Sequence, residues 1–155
     1  ELDGTYSPEV SIYPGSYSRI VGIVAIYDEP RAEYKPHIIR QKYWDDLGIH
    51  HIYLEWDPVF ESETWVWQEI DYCSSSLNAD VTTDGVNMFL VYKSTDDLKF
   101  ALWSNDEWST QIIDGEGTDV GDHCSIALDS DNNPHISYYD NTNKQLKYAK
   151  LTIAP

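Results

Sequence analysis

Internal repetition is the feature that most constrains how this 155-residue chain can fold. Residues 65–71 recur 43 residues later as 108–114, with Trp, Gln, Ile and Asp in register. Residues 98–103 recur 48 residues later, starting at Leu146, and residues 81–93 align with 127–139 at an offset of 46. A period of 40 to 50 residues that contains several short strands predicts repeated β-sheet units.

A more divergent copy lies nearer the N-terminus. Residues 36–38 (Pro-His-Ile) correspond to residues 134–136, and residues 53–56 correspond to residues 100–103. We therefore predict three units, at about 1–56, 57–103 and 104–155. Each unit is expected to hold four short strands: a Trp-bearing strand, an apolar strand, an alternating strand and a Leu-Lys strand. Because no stretch shows a sustained helical period, we predict an all-β fold of three four-stranded antiparallel blade-like repeats of the β-propeller type.

The third unit also resembles a known group of proteins. Residues 124–140, followed by 146–149, are similar to the blade repeats of secreted microbial β-propellers that share the sialidase-like shape. The chain departs from the Asp-box pattern Ser-x-Asp-x-Gly-x-Thr-Trp, because residues 130–133 run directly into Pro134 and His135. The resemblance therefore implies the propeller fold without sialidase activity. Since most of these relatives have no assigned function, it implies little beyond the fold.

The number of units predicts self-association. Closed propellers use about four to eight blades, so three units leave an apolar face and a sheet edge uncovered at each end. A second copy can cover both, in a head-to-tail contact that closes into a ring or extends as a filament. The segments that contain Val10 and Ile12, and Leu151 and Ile153, are the predicted assembly strands. Two alternatives remain: a piece of a longer propeller, or a compact monomer capped by its own termini.

The charge of the chain restricts its partners and its location. The chain has 27 Asp and Glu against 10 Lys and Arg, a net charge of −17, so nucleic acid is not an expected partner. No apolar run approaches the ~18 residues of a membrane span. The chain starts at Glu1 rather than Met and shows no leader, which predicts a secreted mature form or an excised fragment. In a secreted chain, Cys73 and Cys124 predict one disulfide; the alternative is two buried thiols.

Titratable residues give only weak signals for a metal site or for catalysis. Asp129, Asp131 and Asn133 could offer alternate oxygens to calcium from a turn; the alternative is that they only build the turn. Adjacent His50 and His51 would point to opposite faces of a strand, so they are not expected to share one ion. His37 occupies a repeat position and is predicted to be structural, like its counterpart His135. No nucleophile motif is present, and the three arginines, which a sialidase-like site would need, all lie in the first unit.

Aromatic residues suggest a second function. Tyr43, Trp44 and Tyr139 lie near predicted loops or strand ends and are candidates for ligand or subunit contact. The tryptophans that recur with the repeat, at positions 56, 65, 103 and 108, are predicted to pack between units. We therefore predict a non-enzymatic extracellular structural protein that binds copies of itself. The alternative is a lectin-like module that binds extracellular glycans, with calcium assistance.

Overall fold

The computed structural model describes residues 18–29, 32–42, 47–73 and 78–153, which form three antiparallel sheets. The first sheet contains β1 (Ser18–Asp28), β2 (Glu33–Lys42), β3 (Gly48–Asp57) and β4 (Ser62–Tyr72). The second contains β5 (Ala79–Thr83), β6 (Met88–Ser94), β7 (Asp97–Ser104) and β8 (Glu107–Asp114). The third contains β9 (Val120–Leu128), β10 (Pro134–Asp140) and β11 (Gln145–Lys150). The all-β prediction is confirmed, and no described helix has the length and apolar character to cross a membrane.

The sheets are out of phase with the predicted units by one strand. In the first two sheets the Trp-bearing strand is the last strand, β4 or β8, rather than the first. The predicted boundaries near residues 57 and 104 therefore fall within hairpins, where Asp57 pairs with Ser62 and Ser104 with Glu107. Sequence similarity reveals the period of a repeat, whereas its phase depends on which strands form hydrogen bonds to each other. The third sheet has three described strands, so three four-stranded units are not observed.

The three sheets fan out from their first strands. Tyr27 of β1 donates its backbone N–H to Gly85 O at 3.0 Å, just beyond β5. Asp80 of β5 accepts hydrogen bonds from the Ser125 hydroxyl (2.7 Å) and the Ile126 N–H (3.0 Å) of β9. β1, β5 and β9 thus lie side by side, whereas β4 and β8 barely approach each other. The three sheets therefore meet at their first strands and diverge outward.

Gly22 allows the first two sheets to approach closely at this inner edge. A Cβ atom at Gly22 would lie 2.6 Å from Val81 Cγ1, which is closer than two carbon atoms can pack. The register between β1 and β2 also shifts between Ile20 and Gly22, as expected at a β-bulge. The glycine is therefore required by the contact between the sheets.

The middle sheet is buried on both faces. All seven residues of β6 are buried; Met88, Leu90 and Tyr92 face the first sheet, and Phe89 and Val91 face the third. Residues 88–92 of this strand form a continuous apolar run, because alternate side chains point into two different cores. We call the face of a sheet that is directed toward the following sheet its forward face, and the opposite one its rear face. Each core is formed by one forward face and one rear face.

The predicted disulfide is wrong, because both cysteines are free thiols in different cores. Cys73 packs between the first and second sheets, where its Sγ accepts a hydrogen bond from Gln41 Nε2 at 2.8 Å. Cys124 packs between the second and third sheets. The middle sheet thus separates the two thiols. Burial raises the pKa of both, that of Cys124 to about 12, so neither has the features of a reactive thiol.

A repeated aspartate joins each sheet to the next. Asp71 Oδ2 on β4 accepts hydrogen bonds from the Tyr92 hydroxyl (2.7 Å) and from Lys99 Nζ (2.8 Å) of the second sheet. One repeat later, Asp114 Oδ2 on β8 accepts the equivalent bonds from Tyr138 (2.8 Å) and Lys147 (2.7 Å) of the third sheet. Burial opposes ionisation of Asp114, but the Lys147 and Tyr138 donors hold its pKa below the ordinary value.

We expect the Asp71→Ala substitution to lower the free energy of unfolding by about 1–3 kcal/mol, because it leaves the Tyr92 hydroxyl and Lys99 without their acceptor. Asp114→Ala should cost a similar amount, since the contact is repeated. Urea unfolding, followed by tryptophan fluorescence, measures both effects. Asp131→Ala, at an exposed turn position, is the matched control. A loss no larger than that of the control would mean that this contact does not hold the sheets together.

Candidate functional site: two end faces and an inter-sheet cleft

Apolar side chains form a row across the rear face of the first sheet, and no described strand covers that face. Ile23, Ile38, Ile52 and Trp67 form a row across its four strands, since each is the cross-strand partner of the next. Ile38 and Ile52 at the centre are buried, whereas Ile23 is 62% exposed. Ile20 and Tyr34 are also exposed, and their strand positions place them on the same face. An exposed apolar patch of this kind is typical of a protein contact surface.

The forward face of the third sheet is also uncovered by any described strand, and it is more polar. One row across it contains Ser125, Ser137 and Tyr148. Tyr148 is 62% and Leu146 80% exposed, and the Tyr148 hydroxyl lies 2.7 Å from His135 Nδ1. Within the described residues, nothing pairs with the outer edge of β11. This end therefore offers both a face and a strand edge.

The two end faces correspond to the two sides of an interface that the chain already forms twice. On the rear faces of the second and third sheets, the cross-strand pairs Tyr92–Lys99 and Tyr138–Lys147 receive an aspartate from the preceding sheet. On the rear face of the first sheet, the corresponding pair is Arg40–His50. Arg40 also lies over the Trp67 ring, with its Cζ 4.5 Å from the ring centroid. Arg40 and His50 are buried, at 6% and 7% exposed, and both already interact within the chain.

The predicted assembly strands are only partly observed. Val10 and Ile12 lie outside the described residues. β11 ends at Lys150, and both Leu151 and Ile153 pack against the core between the second and third sheets. The Leu151 N–H donates to Pro134 O at 2.9 Å. These two side chains therefore pack within their own chain.

A cleft of about 730 Å³ opens between the first and second sheets. Its lining includes Lys35, His37, Tyr53 and Glu55 from the first sheet, and Trp103 and Asp106 from the second. Lys35 is buried and pairs with Asp28 (2.8 Å) and Glu63 (3.3 Å).

Tyr53 shares this cleft with the carboxylates of Glu55 and Asp106. Burial raises the pKa of its hydroxyl, and the negative charges of Glu55 and Asp106 raise it further. Asp106 is placed there by the two-residue turn between β7 and β8, in which both Asn105 (φ 53°) and Asp106 (φ 63°) have positive φ, as in a type I′ hairpin. Asn and Asp tolerate this conformation better than most residues, so the local sequence fits the turn.

Two histidines form a buried hydrogen-bonded chain beside the cleft. His37 Nδ1 lies 2.8 Å from His51 Nε2, and Trp108 Nε1 lies 3.3 Å from His51 Nδ1. An indole N–H can only donate, so His51 Nδ1 accepts and His51 carries its proton on Nε2. His51 then donates to His37 Nδ1, which leaves the proton of His37 on Nε2. The chain is complete when both rings are neutral.

The surroundings of these histidines oppose protonation. Burial, and then the charge of Lys35, lower the pKa of His37 to about 4. Burial, and then the neighbouring His37, lower that of His51 to about 3. The rings stack on each other and on Tyr53, and His51 meets Trp103 and Trp108 edge-on. The pair therefore acts as neutral packing between the first two sheets, in agreement with the predicted structural role of His37.

The predicted calcium-binding residues lie in the turn between β9 and β10. Asp129 Oδ1 accepts the backbone N–H groups of Asp131 and Asn133, each at 2.9 Å, and Oδ2 accepts Lys150 Nζ at 2.9 Å. The Lys150 ammonium, followed by the backbone of Asn133, holds the pKa of Asp129 well below its ordinary range. These contacts explain the position of the Asp129 carboxylate in the turn without a bound cation. The described residues contain no group of three or more His, Cys, Asp or Glu side chains that could hold a metal ion.

The predictions for the aromatic contact residues and for the recurring tryptophans have different outcomes. Tyr43 and Trp44 lie outside the described residues, and Tyr139 is half-buried on the forward face of the third sheet. Trp103 is buried between the first two sheets, with Trp108 packed against the same core, as predicted. Trp56 instead is 44% exposed, contrary to the prediction that it packs between units.

The sequence alignment of the first unit is wrong by two residues in β3. Gln68 and Gln111 are equivalent, and their cross-strand partners are His51 and Phe100 respectively. Residue 51, rather than residue 53, therefore corresponds to Phe100. The pairing of Trp56 with Trp103 fails for the same reason, since β3 extends further before its turn. The sequence held a signal for the correct alignment, namely the Gln that recurs in the Trp-bearing segment. Because its cross-strand partners are His51 and Phe100, it places His51 at the position between the sheets that Phe100 occupies one repeat later.

Comparison of the chain with protein-family models, with curated proteins and with solved structures found no match.

Proposed function

We propose that this chain is a non-enzymatic structural subunit whose copies associate head to tail in a β-propeller-type stack. In this arrangement, the rear face of the first sheet of one copy packs against the forward face of the third sheet of the next. The observation that carries the proposal is the middle sheet, which is buried on both faces by its neighbours. The two end faces are the corresponding halves of that interface, and described strands cover neither.

The chemistry of the end faces supports a contact between copies. Burying exposed Ile20 and Ile23 removes apolar surface from water, which stabilises by about 25 cal/mol per Å². At the opposite end, Leu146 and Tyr148 offer exposed apolar surface. His135 on the same face occupies the repeat position of His37, which faces the second sheet. Because the two faces differ, the contact is heterologous and each copy uses both of its ends.

The open edge of β11 fits the same proposal. The first two sheets each have a fourth strand, and the third has none among the described residues. A strand from the next copy would complete it by β-augmentation. The segment around Val10 and Ile12 is the donor that we propose. Two chains would provide six sheets, which is a size at which propellers close; a rotation that does not close would produce a filament. Secretion remains part of the proposal.

We expect sedimentation velocity to show concentration-dependent assemblies larger than one chain. Ile23→Lys on the rear face, or Leu146→Lys on the forward face, should each reduce the assembly to monomer, because the substitution places a charge in the buried contact. Ile112→Lys is the matched control, since Ile112 is 56% exposed on β8, away from both end faces. A wild-type chain that stays monomeric at all concentrations would contradict the proposal.

A mixing experiment tests the head-to-tail geometry. Each of these two variants keeps one intact end, so a mixture of Ile23→Lys and Leu146→Lys chains should form a complex of one copy each that grows no further. Two copies of the same variant should not associate. A symmetric contact between identical faces would instead leave one of the two variants fully assembled by itself.

A further inference from the structure

A groove on the forward face of the second sheet lies beside the segment that follows β11. Its volume is about 360 Å³, and its lining includes Phe100, Leu102, Ser109, Gln111, Thr152 and Ile153. Leu102 is half-buried, whereas Ser109 and Gln111 are exposed, so a side chain can enter the groove from outside. Since no described strand pairs with the outer edge of β11, the groove lies where a fourth strand of the third sheet would pack.

One repeat earlier, Trp108 fills the equivalent position. It lies on the fourth strand of the second sheet and packs against the first sheet, with its ring centroid 5.6 Å from that of His51. The groove and the surface around His51 are built from equivalent cross-strand pairs, which are Phe100–Gln111 and Leu102–Ser109 in the second sheet and His51–Gln68 and Tyr53–Val66 in the first. The repeat therefore predicts that a fourth strand of the third sheet inserts an aromatic side chain into the groove.

Residues 6–12 lie outside the described part of the structure, and their sequence resembles a further Trp-bearing strand. Tyr6 precedes the first residue of β1, Ser18, by 12 residues, and Trp108 precedes the first residue of β9, Val120, by the same number. Aligned in this way with residues 108–114, the segment places Tyr6 at Trp108, Ser7 at Ser109, Glu9 at Gln111 and Val10 at Ile112. Pro8 falls within the segment, and an edge strand tolerates proline where its nitrogen faces solvent.

We propose that residues 6–12 of a neighbouring copy pair with β11 as the fourth strand of its third sheet and insert Tyr6 into the groove. This inference rests on the proposed head-to-tail association and specifies the contact that anchors it, by β-augmentation with an aromatic side chain in a pocket. Because Lys147 corresponds to Lys99, the pair Trp103–Trp108 places Tyr6 opposite Leu151. The same register places Glu9 opposite Tyr148.

The chemistry of the groove suits a tyrosine. Trp108 directs its indole N–H to His51, but the residue equivalent to His51 in the groove is Phe100, which has no acceptor. A tyrosine hydroxyl can instead donate to the side-chain carbonyl of Gln111, which is exposed in the lining. Burial of the ring against Leu102 also removes apolar surface from water.

The length of the connection to β1 favours a neighbouring copy over the same chain. After β4 and β8, short connections at residues 73–78 and 115–119 lead to the first strand of the adjacent sheet. Residues 13–17 provide a connection of similar length, so the sheet that receives residues 6–12 must adjoin the first sheet on its rear side. The third sheet of the same chain lies beyond the middle sheet. In the proposed association, the third sheet of a neighbouring copy packs on that rear face.

Sedimentation velocity with variants of the whole chain tests the aromatic anchor. Tyr6→Ala should raise the dissociation constant of the assembly at least about tenfold, because a tyrosine buried in an interface pocket carries much of the binding energy. Tyr6→Phe, which loses one hydrogen bond and keeps the ring, should raise it about threefold or less. Tyr13→Ala, in the same part of the chain but outside the recurring segment, is the matched control and should leave it unchanged.

The groove itself can be blocked from the other side. Ser109→Trp fills it with a bulky side chain at an exposed position and should also weaken the assembly at least about tenfold. Ser109→Ala leaves the groove open and should not change the dissociation constant. Near-ultraviolet circular dichroism checks that each variant is folded.

Disulfide cross-linking tests the register. In an equimolar mixture of Glu9→Cys and Tyr148→Cys chains, oxidation should join one chain of each kind, because opposite residues of paired strands have Cβ atoms about 4.5–5.5 Å apart. Ser11→Cys in place of Glu9→Cys lies two residues out of register, at about 7–8 Å, and should give little of this product. Mass spectrometry identifies the joined peptides. The native cysteines are buried and are not expected to compete.

The outcomes separate this inference from the proposed function. An assembly that Ile23→Lys disrupts but that Tyr6→Ala and Ser109→Trp leave intact would overturn the inference and retain the proposed function. Equal cross-linking by Ser11→Cys and Glu9→Cys would overturn the register. A wild-type monomer in which a Glu9→Cys, Tyr148→Cys double variant cross-links within one chain would overturn both, because the groove would then hold the segment of its own chain.

Discussion

Lowering the pH from 6.5 to 4.5 is expected to reduce the free energy of unfolding by about 3–5 kcal/mol, chiefly through two buried histidines. His37 and His51 are 5% and 0% exposed, and burial lowers the pKa of each by more than two units from its ordinary 6.5. In the unfolded chain both rings take up a proton near pH 6.5. In the folded chain they stay neutral until the pH is near 4 or below.

The sign follows from where the protons bind. The unfolded state binds more protons throughout this window, so stability rises with pH up to about 6.5 and is fully present above it. The geometry gives the same direction. A proton added to His37 Nδ1 would face the N–H of His51, and one added to His51 Nδ1 would face the indole N–H of Trp108. The carboxylates with lowered pKa values lose their contribution mainly below this window, near and under their ordinary pKa of about 4.

Chemical denaturation at a series of pH values measures the effect. The double variant His37→Gln, His51→Gln removes both titrating groups and should flatten the dependence between pH 6.5 and 4.5. His123→Gln, on the surface, should retain the wild-type slope. If the double variant loses as much stability as wild type over this range, the histidine pair is not the cause.

Shortening a buried side chain in the core should have the second large effect on the free energy of unfolding. Leu90 on β6 and Ile136 on β10 are 0% exposed and occupy equivalent positions in successive sheets. Leu90→Ala should lower the free energy of unfolding by about 2–5 kcal/mol, because the cavity remains between the first two sheets. Ile136→Ala, which acts between the second and third sheets, should cost a similar amount.

The two variants also test whether the sheets unfold together. Since the middle sheet takes part in both cores, either substitution should shift one common transition, seen identically by tryptophan fluorescence and far-ultraviolet circular dichroism. Ile112→Ala, at a mostly exposed position, should change stability by less than about 0.5 kcal/mol. Separate transitions for the two probes would show that the sheets are independent modules.

Strand content and face assignment could be predicted from the sequence because they depend on local patterns. The alternation in residues 134–140 correctly separates Ile136 and Tyr138, which face the core, from Ser137 and Tyr139. The adjacent pair His50 and His51 divides between the two faces of β3, as expected from the period of two. The repeat could also be recognised from residues that form contacts between sheets. Asp71 and Asp114 recur at equivalent positions, and each joins its sheet to the next one.

The order of the strands within each sheet could be determined only from the tertiary structure. The sequence shows that Trp-bearing and Leu-Lys strands alternate, but only hydrogen bonding shows that the first follows the second in one sheet. The same holds for the thiols, since a separation of 51 residues permits a disulfide and only the intervening middle sheet prevents it. In both cases the deciding contacts are long-range.

The amino-acid sequence by itself determined the all-β class, the period of nearly 50 residues and the alternation of side chains in strands such as β10, because each can be recognised from patterns along the chain. The tertiary structure decided the phase of the sheets, the separate burial of Cys73 and Cys124, and the cleft that combines Tyr53 and Glu55 with Trp103 and Asp106. These features join residues from different sheets, and their proximity follows from packing rather than from any local pattern.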